Sequence, residues 1–160
     1  MNSDPTRCLI LACGNPLRSD DGIGAWLATW AQAQFQDLPA VRVVYRQQWT
    51  PELADEIARS QSVIFIDAST NAPPGAIELR RVWPARDTGP PATHHLNAQQ
   101  LLGVCQELYE TLPRNSLLLS IGAGSVGFGE TFSTPVHDSL PEACRLLEKS
   151  VLQPDDPAVF

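Results

Sequence analysis

The sequence holds a single lysine, Lys149, against ten arginines, and the arginines are scattered without forming a basic run. A chain with a formal net charge of −7 and no clustered positive charge is not built to hold a phosphate backbone, which excludes a nucleic-acid partner. Long apolar runs are missing too: none approaches the roughly 18 residues that a membrane-spanning helix needs. Met1 to Arg7 is polar and carries Pro5, so no secretory leader is expected there, and the expected location is cytoplasmic, away from membranes. The four cysteines, Cys8, Cys13, Cys105 and Cys144, include no C-x-x-C pair and no zinc-ligand spacing, and are read as buried thiols.

Familiar catalytic signatures are also scarce. Gly14, Gly22 and Gly24 do not stand in the G-x-G-x-x-G order, and the lysine that a P-loop requires is far from them. There is no H-E-x-x-H helix for a self-sufficient zinc protease and no G-x-S-x-G nucleophile elbow. What remains is an ordinary globular composition, 43% hydrophobic and 18% charged over 160 residues, enough for one domain with one sizeable core.

Hydrophobic patterning supplies the elements. Arg7 to Cys13 is a short apolar run stopped by Gly14 and Asn15, a buried strand followed by a loop. Gly22 to Phe35 carries Ile23, Leu27, Trp30, Ala31 and Phe35 at helical spacing. Val41 to Tyr45 reads as a second strand, and Thr50-Pro51-Glu52 as the capped start of a helix reaching about Ser60. Val63 to Ile66, wholly apolar and stopping at Asp67, is expected at the centre of a parallel sheet, whereas the alternating Ala76 to Val82 is expected at an edge. Beyond an irregular surface loop, Trp83 to Pro91, Asn97 with Gln100 forms a capping box for a helix to about Thr111, its apolar stripe being Leu101, Leu102, Cys105 and Leu108. Ser116 to Ile121 is the last strand, followed by a glycine-rich loop and a helix from Ser133-Thr134-Pro135 that Pro141 should kink or divide. Residues 1–152 are therefore expected to form one α/β domain, a three-layer, mostly parallel twisted sheet of about five strands with helices on both faces, and residues 153–160 a disordered tail.

In such a sheet ligand residues belong in the loops beyond the carboxyl ends of the strands. Three features fall there: Gly14-Asn15-Pro16-Leu17-Arg18-Ser19-Asp20-Asp21-Gly22-Ile23-Gly24, then Asp67, then Thr93-His94-His95. Two carboxylates and an imidazole form a donor set suited to nickel, zinc, manganese or iron, and three protein ligands leave positions open for water or substrate. Each residue also has a plainer role. Asp20 or Asp21 can favour a helix amino terminus by about 0.3–1 kcal/mol, Asp67 can cap a loop, and either histidine of the pair can be a hydrogen-bonded surface residue. Asp21 is the expected ligand of the two neighbouring acids, and His137 is read as structural.

Four segments, GNPLRSDDGIG, VIFIDA, THHLNAQQLL and IGAG followed by TFSTPV, resemble in order and spacing the nickel-iron hydrogenase maturation endopeptidases, over about Cys8 to Val151. The resemblance implies a protease that removes a carboxyl-terminal extension from the hydrogenase large-subunit precursor once nickel has been inserted. It implies Asp21, Asp67 and His94 as the catalytic and metal-binding residues, with nickel belonging to the substrate as the metal and another divalent ion as the alternative. His94 is chosen over His95 because the count from His94 to Leu96, Asn97 and Leu101-Leu102 fits the family's segment without a gap. One stretch departs: where many members carry an acid and paired glycines after the second strand, this chain has Arg46-Gln47-Gln48-Trp49-Thr50-Pro51-Glu52.

Two other classes compete. A phosphorylation-controlled receiver domain also pairs acids after its first strand, but it needs a lysine after a late strand, where Gly122-Ala123-Gly124-Ser125 stands instead. A non-enzymatic nickel-binding chaperone differs from the protease only in an assay for cleavage. The resemblance predicts that His94→Ala abolishes precursor processing while His95→Ala retains most of it, with unchanged circular dichroism in both. A dead His95 variant beside an active His94 variant would reverse the assignment.

Overall fold

The computed structural model describes residues 6–86 and 95–156. Along the chain run β1 (Thr6–Cys13), α1 (Ile23–Gln34), β2 (Val41–Arg46), α2 (Ala54–Ala58), β3 (Ser60–Ser69), β4 (Ile77–Arg81), α3 (Ala98–Tyr109), β5 (Asn115–Gly122) and α4 (Thr134–Leu152). The strands form one five-stranded sheet in the order β2-β1-β3-β5-β4. All neighbours are parallel except β4, which runs antiparallel to β5 at the edge. No helix among the described residues is long and apolar enough to cross a membrane.

Successive side chains of a strand point to opposite faces, and here both faces are covered. Cys8, Ile10 and Ala12 of β1, Ile64 and Ile66 of β3, and Leu117, Leu119 and Ile121 of β5 pack against Leu27 and Ala31 of α1 and Val136, Ala143 and Leu147 of α4. The alternate residues Leu9, Leu11 and Cys13, with Val63 and Phe65, pack against Ile57 of α2 and Leu101, Leu102 and Cys105 of α3. These two layers of side chains are why Cys8–Cys13 of β1 and Val63–Ile66 of β3 are continuously apolar. The central β3, the edge β4 and the three-layer arrangement agree with the sequence reading.

Several boundaries differ. The helix expected from Thr50 to Ser60 is a 3-10 turn, Pro51–Leu53, followed by only five α-helical residues, and the Thr50 side chain makes no cap hydrogen bond. Tertiary pairing overrides local preference there, because Ser60 already pairs with Thr6 as the first residue of β3. That strand also runs past Asp67, which pairs with Ser120, to Ser69. Pro141 neither ends nor divides α4, which is one helix of 19 residues. It sits on the exposed side, where the carbonyl that loses its bond faces water, while Val136, Leu140, Ala143 and Leu147 hold the other side on the sheet. Leu108 faces solvent, so the apolar stripe of α3 ends at Cys105. Of the expected tail, Gln153 to Asp156 are described and touch the body: Asn115 Nδ2 donates to the Pro154 carbonyl (3.3 Å) and to Asp155 Oδ1 (3.2 Å). Residues 157–160 lie outside the described residues.

Phe65 has no exposed surface and meets Trp49 edge-on, with ring centroids 5.2 Å apart. Phe65→Ala is therefore expected to cost about 3–5 kcal/mol, while Leu108→Ala, on the solvent side of α3, should leave stability within about 0.5 kcal/mol of the parent. Urea unfolding followed by circular dichroism checks both.

Candidate functional site

Because β1 and β3 are parallel neighbours, their carboxyl ends open on one edge of the sheet, and the pairing of Ala12 with Ile66 brings Cys13 beside Asp67. Both belong to the alternate set that faces α2 and α3. The Cys13 thiol donates to Asp67 Oδ1 at 3.4 Å. Burial pushes the Asp67 carboxyl above its usual range; the hydrogen bonds from Cys13 and the Ala68 amide pull it down, and the nearby Asp21 charge adds to the rise. Cys13 itself is driven strongly upward, first by burial and then by Asp67 and Asp21, so it stays a protonated donor.

Asp21 arrives from the loop after β1. Gly14 has φ +133°, and a Cβ there would lie 2.0 Å from the Asp21 carbonyl oxygen, so only glycine lets the loop fold back this tightly. A Cβ at Gly24 would lie 2.1 Å from the Cys13 carbonyl oxygen, which explains how closely α1 seats against the end of β1. The Asn15 amide donates to Asp21 Oδ2 at 2.7 Å, and the Tyr45 hydroxyl donates to the Gly14 carbonyl. Asp21 and Asp67 line one cleft of about 470 Å³. Gln47, Gln48 and Trp49 form one wall, so the segment that departs from the resembled family borders this cleft; His95, Leu96 and Asn97 form another. The Gly14 amide bonds the Gln47 carbonyl at 3.2 Å, and the Leu96 amide bonds the Trp49 carbonyl at 3.3 Å, tying the walls together. His94 lies outside the described residues, one position before the cleft-lining His95. Among the described residues no three potential ligands cluster as a metal site. The two carboxylates in one partly buried cleft are nevertheless a donor pair that a cation would relieve of mutual repulsion.

Asp20 stands in the first turn of the Ser19–Gly22 3-10 helix, but its carboxylate is engaged elsewhere. It is fully buried, and its carboxylate accepts four hydrogen bonds: from the amides of Gly124 (2.7 Å), Ser125 (2.9 Å) and Ser133 (2.7 Å) and from the Ser133 hydroxyl (2.7 Å). Burial alone would raise its pKa, but these bonds prevail and hold it below the ordinary value. Two of the amides come from Gly122-Ala123-Gly124-Ser125-Val126-Gly127, which has the G-x-G-x-x-G order at the end of a strand. No helix opens there, since α4 starts at Thr134. Backbone amides of the kind that cradle phosphates are here taken by an internal carboxylate.

No family model and no curated protein matches the chain. Solved structures do: the chain has the fold of the hydrogenase maturation proteases. It is similar to the hydrogenase maturating endopeptidase HybD from E. coli, at 18% identity over 93% of this chain and 94% of that one, with a TM-score of 0.73. It is also similar to the [NiFe] hydrogenase maturation protease HybD from Thermococcus kodakarensis, at 24% identity over 91% and 99% of the two chains, TM-score 0.66. For the protease HycI from Thermococcus kodakarensis KOD1 the values are 23% identity, 94% and 93% coverage, and 0.62. The family that the sequence motifs resemble and the proteins that share the fold are the same.

The raised Asp67 carboxyl has a thermodynamic sign. Between the unfolded carboxylate range and the raised folded value the native state holds the extra proton, so stability falls as pH rises through that window. Asp67→Asn removes this cost and keeps an acceptor for the Cys13 thiol. In metal-free buffer its thermal midpoint should exceed the parent's at pH 7, and the gap should close as pH falls into the carboxylate range. A lower midpoint at pH 7 would contradict the assignment.

Proposed function

We propose that the chain is a cytoplasmic endopeptidase that removes the carboxyl-terminal extension of a nickel-iron hydrogenase large-subunit precursor after nickel insertion. The observation that carries this reading is the meeting of Asp21 and Asp67 in one cleft, on a fold shared with proteins named hydrogenase maturation proteases. Asp21, Asp67 and His94 are the residues assigned to contact the metal. Nickel belongs to the precursor and is read as part of the substrate; a divalent ion of the enzyme's own is the alternative. When bound, such an ion polarises the scissile carbonyl or acidifies an attacking water.

The chain's own contribution is recognition and orientation. Asp21 Oδ2 is held by the Asn15 amide and Oδ1 has no hydrogen-bond partner among the described residues, so one oxygen is fixed and the other is available to a ligand. Asp67 is oriented by the Cys13 thiol. Repulsion between the two acids falls when a cation docks, which links docking to the metal content of the precursor. The sequence lacks both a nucleophile elbow and a zinc-protease helix, so the cut is licensed by metal already in place rather than by a complete protease motif.

Nickel-loaded precursor should therefore be cut and nickel-free precursor should not, although both carry the same extension. Purified enzyme incubated with each form, under conditions that prevent metal transfer, with release of the extension followed by mass spectrometry, decides it. Equal cleavage of the two forms would sink the recognition model and leave a metal of the enzyme's own as the catalyst. Cleavage of neither form would sink the protease reading.

A further inference from the structure

Among the described residues, Asp20 is the charged side chain with no exposed surface at all (0%), and the next residue in the chain lines the cleft. Asp20 lies in the first turn of the Ser19–Gly22 3-10 helix, where its charge suits the amino terminus, but its carboxylate caps neither that turn nor α1. All four hydrogen bonds of its carboxylate go to the segment Gly124 to Ser133. The backbone repeats the attachment on either side: the Asp20 amide donates to the Ser125 carbonyl (2.9 Å) and the Ser19 amide to the Gly129 carbonyl (2.8 Å). The Ser19 hydroxyl donates to the Gly127 carbonyl (2.9 Å).

The turn that carries Asp21 has hydrogen bonds of its own, from the Arg18 amide to the Asn15 carbonyl (3.0 Å) and from the Asp21 amide to the Arg18 carbonyl (3.1 Å), but it also contains a strained residue. Ser19 stands in the left-handed region at φ +51°, a conformation that costs a residue with a side chain free energy and persists only where surrounding contacts enforce it. Beside the bond from the Asp21 amide to the Arg18 carbonyl, the contacts that hold Ser19 and Asp20 run to the loop after β5. Charge-assisted hydrogen bonds to a carboxylate are shorter and about twice as strong as neutral ones, so Asp20 is the strongest of these attachments. Groups that hydrogen-bond a metal ligand directly are worth about 10- to 100-fold in metal affinity, and Asp20, acting through the backbone it holds, is set against that scale.

We propose that Asp20 is a positioning residue for Asp21: by binding the amides of the glycine-rich loop after β5, its buried carboxylate fixes the turn that aims Asp21 at the metal ion. The proposal rests on the reading of Asp21 as a metal contact, and the experiment separates the two.

The full-length chain is titrated with Ni²⁺ alone, and paramagnetic broadening of amide resonances reports binding. Hydrogen exchange of the Asn15 amide, which bonds Asp21 Oδ2, reports placement of Asp21, with the Ile64 amide in the central strand as the reference for global stability. The variants are Asp21→Asn, Asp20→Asn and Ser133→Ala; the last removes one of the four bonds and keeps the fold if Asp20→Asn does not. Asp21→Asn should abolish broadening near the cleft. Asp20→Asn should need about 10- to 100-fold more Ni²⁺, and Ser133→Ala on the order of threefold more, a fraction of one charge-assisted bond. Both should speed Asn15 exchange while Ile64 exchange in Ser133→Ala stays at the parent rate. Parental Ni²⁺ response and parental Asn15 exchange in the folded Asp20 and Ser133 variants, beside a silent Asp21 variant, would overturn the positioning role and leave the metal reading standing. A parental Ni²⁺ response in Asp21→Asn would overturn both.

Discussion

A carboxylate removed from water loses several kcal/mol of solvation unless protein donors replace it. Asp20 is in that position, and its four donors all come from a segment more than a hundred residues further along the chain. The consequence reaches beyond one residue. Joining the loop after β1 to the loop after β5 closes the sheet's carboxyl edge on the α1 and α4 side and leaves the cleft open on the α2 and α3 side, where Cys13 and Asp67 face. A glycine-rich loop with exposed amides is an anion trap; satisfying it internally gives the chain a rigid corner and removes a nucleotide-like loop from consideration as a ligand site.

The cleft shows the opposite economy of interactions. Asp67 is partly buried beside a like charge, with a weakly donating thiol as its side-chain partner, and its carboxyl is held above the usual range by burial, while the Asp20 carboxyl lies below it. Charge on Asp20 supports the fold and charge on Asp67 opposes it. Trp49 adds an unpaired polar group to the same region: it is buried edge-on against Phe65, and its Nε1 has no hydrogen-bond partner among the described residues. Native structures leave few buried polar groups unpaired, and sites that must accept a ligand are where such costs collect.

Much of this was legible because the patterns are strong. Uninterrupted apolar runs in β1 and β3 required cover on both faces, and alternation in β4 required an edge. The Asn97 and Gln100 capping box forms as read, with both reciprocal hydrogen bonds. Local rules failed in two helices: α2 is preceded by a 3-10 turn rather than an α turn and ends at Ala58 because Ser60 already starts β3, and Pro141 was tolerated because it falls on the wet side of a well-anchored helix. At the site, adjacency in sequence concealed a division of labour. Asp20 and Asp21 are chemically identical neighbours, and only the position of the loop after β5 tells which one is buried. The signal for that loop, the glycine order Gly122, Gly124 and Gly127, lay in plain view but far from the acids it serves. The cleft wall from Gln47 to Trp49 was visible only as a departure from a resembled pattern, since nothing in its composition marks it as lining a site.

The division between the two acids also bears on how an under-coordinated carboxylate survives in a folded protein. A carboxylate as fully satisfied as Asp20 has little left to offer a cation. The Gly124, Ser125 and Ser133 donors are already committed to Asp20, and Gly14 and Tyr45 hold the near side of the loop. Asp21 is thus left with the Asn15 amide on one oxygen and no described donor on the other. The two adjacent acids divide the work, Asp20 anchoring the turn to the loop after β5 and Asp21 keeping an oxygen for the cleft.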